Sequence, residues 1–139
     1  MTDATFVVVD ASVWVARLVP QDAFYPAARA WMDRLLANGG QMLSPSLLLS
    51  EVAGAIARRT GEPHLARQAI QQLGQLPGLQ LIQMDQGLVK SAALLAADLG
   101  LRGADALYVA VAADLELPLV TLDADQRKRA SERLVLLEL

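Results

Sequence analysis

The segment FVVVDAS (residues 6–12) is a run of apolar residues that stops abruptly at a carboxylate, Asp10. The segment LVTLDADQ (residues 119–126) has the same form, with Asp123 after the apolar run and Asp125 two residues further on. Short continuous apolar runs of this kind are typical of strands that are buried on both faces of a parallel sheet. Because sites in such sheets form beyond the carboxyl ends of the strands, we expect Asp10 and Asp123 to face one crevice.

Strand-like segments alternate with helical patterns along the whole chain. We predict strands at residues 5–10, 41–43, 79–84, 118–122 and 134–139. We predict helices at residues 12–20, 22–37, 46–59, 62–73, 86–99, 104–115 and 124–132. This alternation predicts an α/β fold in three α/β/α layers, with a central, mostly parallel sheet of roughly five strands. Because no linker-like tract interrupts the 139 residues, we expect a single domain over residues 1–139.

The composition excludes several kinds of site. The chain has no cysteine, which excludes disulfides, thiolate zinc sites and a cysteine nucleophile. The formal net charge of −3 weakly opposes nonspecific binding to nucleic acid, which favours basic proteins. A cluster of acids that holds cations, however, lowers the formal charge without making the working surface acidic.

No segment has the pattern of a leader or of a membrane anchor. Asp3 and Asp10 stand where a signal peptide needs a basic stretch followed by an uninterrupted apolar stretch. Charged residues interrupt every apolar run before it reaches the roughly 20 residues that cross a bilayer. We therefore expect a cytoplasmic protein with no membrane partner.

Two further acids lie on faces that helical spacing predicts to be apolar. In SLLLSEVAGAIARR (residues 46–59), Glu51 follows two leucines by one helical turn on the same face. In LRGADALYVAVA (residues 101–112), Asp105 shares a face with Tyr108. A carboxylate on a core-facing stripe costs several kcal/mol of desolvation, roughly, unless it is paired or bound to a metal.

Each acid also has an ordinary structural explanation. Asp10 and Asp123 can cap the helices that follow them, and Asp105 can favour the positive end of its helix. Asp125 is explained as a solvated acid in a first helical turn, with support of the neighbouring acids as a further role. Glu51 can pair with an arginine, for which the candidates are Arg17, Arg58, Arg59 and Arg102.

The conjunction of the four acids favours a metal site. Four carboxylates in one pocket repel one another, and each raises the pKa of its neighbours unless cations are present. Oxygen ligands without cysteine or a suitable histidine favour Mg²⁺, or Mn²⁺, over zinc. One or two such ions activate water and stabilise the transition state of phosphoryl transfer. The sole histidine, His64, lies in a polar helical segment, and we expect it at the surface.

Four segments, in this order along the chain, resemble the PIN-domain ribonucleases, and most closely the VapC-type toxins of toxin–antitoxin pairs. The segments are VVDASVWV (residues 8–15), SPSLLLSEVAGAIARR (residues 44–59), LRGADALYVAVA (residues 101–112) and LVTLDADQ (residues 119–126). The resemblance implies a PIN-like domain and a Mg²⁺-dependent endoribonuclease that cleaves RNA phosphodiesters with water that the metal activates. It also implies a homodimer that is silenced by a cognate VapB-type antitoxin.

The resemblance assigns roles to particular residues. The acids that match the catalytic and metal-binding acids of the family are Asp10, Glu51, Asp105 and Asp123. Ser12 matches the small polar residue two places after the first acid, and Thr121 matches a hydroxyl residue beside the fourth. We expect these two residues to support the site, together with Asp125.

Basic residues around an acidic centre are needed to bind the phosphates of an RNA. The predicted RNA-binding residues are Arg17, Arg58, Arg102, Arg127, Lys128 and Arg129. Taken singly, each is equally explained as a solvated residue or as part of a weak salt bridge. Among the aromatic residues, helical spacing favours packing over base stacking for Phe24, Tyr25 and Trp31, and we expect Trp14 in the core.

Other functions are compatible with parts of the pattern. A phosphatase of the haloacid dehalogenase kind needs a second aspartate where Ser12 stands, and LVTLDADQ lacks the acidic pair and the lysine of a receiver domain. Two alternatives stay open: a PIN-like module that binds RNA or a protein without cutting, and a housekeeping nuclease that processes RNA.

Overall fold

The computed structural model of the protein describes residues 5–139. Asp3, on which part of the signal-peptide argument depends, lies outside the described residues. The strands of this part of the chain are β1 (Phe6–Val9), β2 (Gln41–Pro45), β3 (Leu79–Ile82), β4 (Leu119–Val120) and β5 (Leu136–Leu137). Its helices are α1 (Ala11–Leu18), α2 (Tyr25–Ala37), α3 (Leu48–Thr60), α4 (Pro63–Gln75), α5 (Gln86–Leu99), α6 (Gly103–Leu115) and α7 (Ala124–Ala130).

The five strands form one parallel sheet in the order β3-β2-β1-β4-β5. The chain moves outward from β1 to β2 and β3, and then returns to the other side of β1 to add β4 and β5. The strand order therefore reverses between β1 and β4, and a crevice opens at the carboxyl ends of these two strands. The predicted three-layer α/β/α fold is confirmed.

Alternate residues of β1 pack against different helical layers. Val7 and Val9 contribute to a core with residues of helices α1 to α4, whereas Val8 contributes to a second core with residues of α5 and α6. This arrangement explains why β1 is apolar at every position, since a strand that is covered on both faces has no solvent-facing side.

Trp14 is the largest fully buried side chain beside β1. Its indole N–H donates to Ser44 Oγ at 3.2 Å, and the Ser44 hydroxyl donates to the Val9 carbonyl at 2.6 Å. The prediction that Trp14 belongs to the core is confirmed. His64 is exposed, as expected from its polar segment.

Several element boundaries differ from the predicted ones. Helix α2 begins at Tyr25 and not at residue 22, because Asp22 Oδ1 accepts the Phe24 N–H at 2.8 Å and folds the preceding residues into a turn. Strands β4 and β5 have two residues each, and α7 ends at Ala130. Residues 131–133 after α7 form a turn, in which the Arg133 N–H donates to the Ala130 carbonyl.

None of the helices in residues 5–139 combines the length and the apolar composition that crossing a bilayer requires.

Candidate active site

The carboxyl end of β1 places Asp10 at the bottom of the crevice. Asp10 is buried and is the N-cap of α1, where its Oδ2 accepts the Ser12 N–H at 3.0 Å. The same oxygen lies 3.1 Å from Thr121 Oγ1, which donates to it from the end of the neighbouring strand β4. The Asp10 N–H donates to the Val120 carbonyl at 3.0 Å, which joins the ends of the two strands.

The carboxyl end of β4 places Asp123 at the same edge of the sheet. Asp123 is the N-cap of α7, and its Oδ1 accepts the Gln126 N–H at 3.1 Å. The predicted capping roles of Asp10 and Asp123 are therefore present. They do not compete with a role in the site, because each cap uses one oxygen of its carboxylate and leaves the other directed elsewhere.

A buried network of hydroxyl and amide groups joins these two strand ends. Thr121 Oγ1 lies 2.9 Å from Gln126 Oε1 and 3.3 Å from Ser12 Oγ, and it accepts the Asp123 N–H at 3.1 Å. Ser12 Oγ accepts the Leu122 N–H at 3.0 Å. Thr121 has a single hydroxyl proton, which it can donate either to Asp10 Oδ2 or to Gln126 Oε1 but not to both at once. In either case the hydrogen bonds hold the two strand ends together.

Helices α3 and α6 bring Glu51 to the crevice. Tyr108, which is fully buried on α6, donates its hydroxyl to Glu51 Oε1 at 2.6 Å. Burial raises the pKa of Glu51, the hydrogen bond from Tyr108 lowers it, and the charges of Asp10 and Asp105 raise it further. Burial, the hydrogen bond to Glu51 and the charges of Glu51, Asp10 and Asp105 all raise the pKa of Tyr108, so its hydroxyl stays protonated as a donor.

Asp105 stands in the first turn of α6, at the mouth of the crevice. Arg102 Nε donates to Asp105 Oδ2 at 3.0 Å, and Arg102 Nη2 donates to Asp123 Oδ2. Burial raises the pKa of Asp105, the hydrogen bond and charge of Arg102 lower it, and the charges of Asp10 and Asp123 raise it. Arg102 itself is 68% exposed and touches neither Asp10 nor Glu51, so it covers the outer acids from the solvent side.

The four acids therefore share one electrostatic environment, although they come from four distant segments. Asp10 and Asp105 act on Glu51, and Asp10 and Asp123 act on Asp105. Glu51 takes a tyrosine as its partner and none of the arginines considered for it. Within residues 5–139, no three acidic or histidine side chains already stand in a metal-binding arrangement. The outer acids are turned toward Arg102 instead.

The donor set nevertheless fits a hard divalent cation. All the donors are carboxylate oxygens, the kind of ligand that Mg²⁺ and Mn²⁺ prefer, and their mutual repulsion calls for a positive charge. The Arg102 guanidinium supplies such a charge to Asp105 and Asp123 from outside. An ion held by these two acids therefore requires the exposed Arg102 side chain to move away. Asp10, Glu51, Asp105 and Asp123 are the residues that would hold ions here.

An open cleft of about 360 Å³ begins at Glu51, which is the one site acid that lines it, and runs along α3. Ser12, Glu51 and Leu122 line its inner end, and Phe24 and Arg58 line its outer part. A larger cavity of about 610 Å³ between α1, α3 and α4 contains none of the four acids. Volume alone does not identify a reactive site, so we place the chemistry in the smaller cleft.

The predicted cations have different surroundings. Arg58 and Lys128 are exposed, and no carboxylate of residues 5–139 lies within ion-pair distance of either. Arg127 donates to the Leu137 carbonyl at 3.0 Å and pairs with Glu138 at 2.6 Å, so it ties α7 to the last strand. Arg17 lies over the Tyr25 ring at 6.0 Å.

The remaining ion pairs lie outside the acid cluster. Arg129 pairs with Asp125 at 2.9 Å across one turn of α7, so Asp125 faces its own helix in this structure. Arg59 pairs with Asp22 at 2.8 Å, and Arg133 lies 3.7 Å from Asp98.

Two residues of the site were not singled out from the sequence. Tyr108 was treated only as an apolar position of α6, yet it holds Glu51. Gln126 is fully buried and also lies 3.4 Å from the Asp105 carbonyl through its Nε2, which links α7 to the start of α6. The available signal for Gln126 was its position three residues after the capping Asp123, where a glutamine is ordinarily explained as part of a capping box.

The chain belongs to the PIN domain family, whose model matches residues 7–132. Several solved structures have the same fold. VapC20 of Mycobacterium tuberculosis, a sarcin–ricin loop cleaving toxin, has 20% sequence identity and a TM-score of 0.73, over 88% of this chain and 93% of that chain.

Two further solved structures have the same fold. VapBC2 of Rickettsia felis, bound to a DNA fragment from its promoter, has 17% identity and a TM-score of 0.70, over 96% of this chain and 98% of that chain. FitAcB of Neisseria gonorrhoeae has 19% identity and a TM-score of 0.68, over 95% and 96% of the two chains. At these identities the likeness establishes the fold. A search of curated protein sequences gives no match.

Proposed function

We propose that the protein is a metal-dependent endoribonuclease and the toxin of a VapBC-type toxin–antitoxin pair. The observation that carries the proposal is the meeting of Asp10, Glu51 and Asp105 at the carboxyl edge of the sheet, where the charge of Asp10 raises the pKa of both Glu51 and Asp105. Membership of the PIN domain family supports it, because the matched range, residues 7–132, includes all four acids.

The residues of the chain have distinct tasks in this proposal. Asp10 and Asp105, with Asp123 beside them, would hold Mg²⁺ or Mn²⁺, and Glu51 would hold a second ion or orient the attacking water. One or two bound ions would supply water activation and stabilisation of the charge that develops on the phosphate. The Tyr108 hydroxyl occupies Glu51 Oε1, which leaves Oε2 for water or for an ion.

The network at the strand ends keeps Asp10 in one orientation. Both Ser12 and Thr121 donate hydrogen bonds to Asp10 Oδ2, so its Oδ1 is the oxygen that is left for a ligand. In-line attack of water on an RNA phosphate would leave a 5′-phosphate and a 3′-hydroxyl. His64, which is exposed on α4, has no part in the proposed reaction.

The partners follow from the same proposal. RNA is the substrate, a VapB-type antitoxin is the inhibitor, and the active species is a homodimer in the cytoplasm. The structures of VapBC2 and FitAcB, which combine toxin and antitoxin components, support the antitoxin part of the proposal.

A non-cleaving module that binds RNA or a protein is the second candidate. It is favoured by the ion pairs of Arg102 with Asp105 and Asp123, which leave no ready-made group of three ligands in residues 5–139. The two candidates differ in whether a divalent cation displaces Arg102 and whether RNA is then cut.

The deciding experiment is cleavage of total RNA by purified protein that is free of antitoxin, with and without Mg²⁺. We expect Mg²⁺-dependent cleavage by the wild type. In Asp10→Asn the cleavage rate is expected to fall by at least about a hundredfold, because the loss of one ligand charge weakens metal binding and misorients the bound ion. Asparagine is as good an N-cap as aspartate, so the variant keeps α1. Equal cleavage by both proteins, or none by either, contradicts the enzyme.

The toxin assignment has a separate test. Expression of the wild type is expected to arrest growth, and coexpression of the adjacent reading frame is expected to restore it. Asp10→Asn serves as the matched control. Normal growth with an active nuclease would identify a housekeeping enzyme instead.

A further inference from the structure

The cleft that leaves the acid cluster along α3 has an aromatic ring at its outer end. Phe24 is 52% exposed although its spacing favoured packing, so the expectation that it is buried is wrong. It lines the cleft together with Arg58, Glu51 and Ser12. An exposed aromatic ring in a cleft that opens onto a reactive centre is available to a flat ligand.

The position of Phe24 is fixed by the residues around it. The Phe24 N–H donates to Asp22 Oδ1 at 2.8 Å, and Asp22 Oδ2 accepts from Arg59 Nη1 at 2.8 Å. Arg59 therefore fastens the turn before α2 to α3 and is committed to that task. The backbone of Phe24 is thereby anchored beside α3, and its side chain lines the cleft.

Arg58 provides the cation of the cleft. It stands seven residues after Glu51 on α3, which is two helical turns and about 10 Å along the axis on the same face. Its Nη1 lies 3.2 Å from the position that a Cβ on Gly54 would take, so the guanidinium lies back along the helix. Within residues 5–139 no carboxylate pairs with it, and its charge is available to a ligand.

We infer that this cleft, walled by Phe24 and Arg58, binds one unpaired nucleotide of a single-stranded RNA segment next to the phosphate at the acid cluster. The base stacks on Phe24, and the phosphate on its far side pairs with Arg58. Stacking on an exposed aromatic ring combined with a cation for the backbone is how proteins hold single strands. At about 360 Å³ the cleft is at the small end of ligand pockets, and it has room for one nucleotide but not for a duplex.

The inference rests on the proposed RNA substrate and deepens it, since it assigns one nucleotide-binding position beside the acids to Phe24 and Arg58. Duplex RNA presents its bases edge-on inside the stack, where Phe24 cannot reach a base face. The selectivity is therefore for strand state, and stacking by itself selects weakly among bases.

The test measures binding without cleavage. The full chain carrying Asp10→Asn is titrated into a short fluorescent single-stranded RNA, and into a set of RNAs that carry a fluorescent adenine analogue at successive positions. Phe24→Leu is expected to weaken binding by about tenfold and to abolish quenching of the analogue at one position. Phe24→Trp is expected to restore both. Phe6→Leu is the matched control, because Phe6 is 40% exposed at the opposite end of the sheet.

The contribution of Arg58 is tested by a separate substitution. Arg58→Ala is expected to weaken binding and to reduce the slope of log affinity against log salt by roughly 0.7, the value for one phosphate contact on a single strand. Arg67→Ala, at an exposed position of α4, is expected to leave both unchanged.

Three results overturn the inference. They are binding that is independent of Phe24, binding of duplex as tight as that of single strand, and loss in these variants of affinity for the adjacent-frame protein with RNA binding intact. Each is separable from a failure of the proposed function. A wild type that never cuts RNA but stacks a base on Phe24 contradicts the nuclease alone, whereas cutting with Phe24-independent binding contradicts the cleft alone.

Discussion

Arg102 occupies the carboxylates of Asp105 and Asp123, which a bound metal ion would otherwise use. Its guanidinium bridges Asp105 and Asp123 from an exposed position, and it makes no contact with Asp10 or Glu51. A divalent ion at the outer acids must compete with this bridge. Because exposed ion pairs are weak, the competition is expected to be modest.

We predict that Arg102→Met raises the affinity for Mn²⁺ by a factor of about two to five, because the competing cation is removed. The measurement is titration of free Mn²⁺ by electron paramagnetic resonance, which does not depend on RNA cleavage. Arg102→Lys keeps the positive charge but lacks the planar guanidinium group. Its Mn²⁺ affinity is expected to lie between those of the wild type and Arg102→Met. Arg29→Met, which breaks an exposed pair with Asp33 on α2, is the control. Unchanged or weaker Mn²⁺ binding in Arg102→Met would show that the bridge does not compete.

At the scale of the elements, the starts of α6 and α7 are joined to the end of β4 through one buried amide. Gln126 lies near Thr121 Oγ1 and the Asp105 carbonyl, although its backbone N–H is part of the α7 cap. In a capping box the glutamine would bond the N–H of Asp123, but Thr121 already accepts that N–H. The amide is therefore free to turn inward.

Gln126→Ala is expected to lower the free energy of unfolding by about 2–4 kcal/mol, since it leaves a cavity and removes buried hydrogen bonds. Urea denaturation measures this loss. Gln71→Ala, at an exposed position of α4, is expected to change it by less than about 0.5 kcal/mol. Gln126→Ala is also expected to bind Mn²⁺ more weakly than the wild type, because Asp105 loses its link to the end of β4. A Gln126→Ala protein as stable as the wild type would exclude this linking role.

The sequence predicted the elements well where periodicity reports burial directly. The uninterrupted valines of β1 predicted a strand covered on both faces, and this is confirmed by the two cores that meet at it. The start of α2 was misplaced because a side-chain turn at Asp22 has no apolar period. The roles of Tyr108 and Gln126 were missed because each depends on a partner more than twenty residues away, which local patterns do not reveal.

At the scale of the whole molecule, the sheet order brings the acids to one edge of the fold. The sequence could predict that Asp10 and Asp123 follow strands, and that parallel strands open at a common edge. The predicted roles of Glu51 and Asp105 required their helices to pack with those faces toward the same edge, which only the assembled layers provide. The arrangement stores repulsion that stability measurements can detect.

The pKa values of Glu51 and Asp105 are raised by burial and by neighbouring acids above their ordinary values of 4.5 and 3.8. Between those values and the higher folded ones, the folded protein binds protons that the unfolded chain has lost. The contribution of these groups to the free energy of unfolding therefore falls as the pH rises through this window. We predict that the metal-free protein is more stable near pH 5 than at pH 7.5 by virtue of these two acids.

The variant Glu51→Gln isolates the contribution of Glu51 to this pH dependence. Glutamine can still accept the hydrogen bond of the Tyr108 hydroxyl, but it carries no charge. The variant is expected to gain stability over the wild type at pH 7.5 and to lose most of that advantage at pH 5. Mg²⁺ at a hundred times its dissociation constant is expected to add about 2.7 kcal/mol to the wild type at pH 7.5. It should add less at pH 5, where protons compete for the same oxygens. Chemical denaturation at the two pH values, with and without Mg²⁺, measures all four quantities. An equal effect of Glu51→Gln at both pH values would mean that folding does not raise the pKa of Glu51.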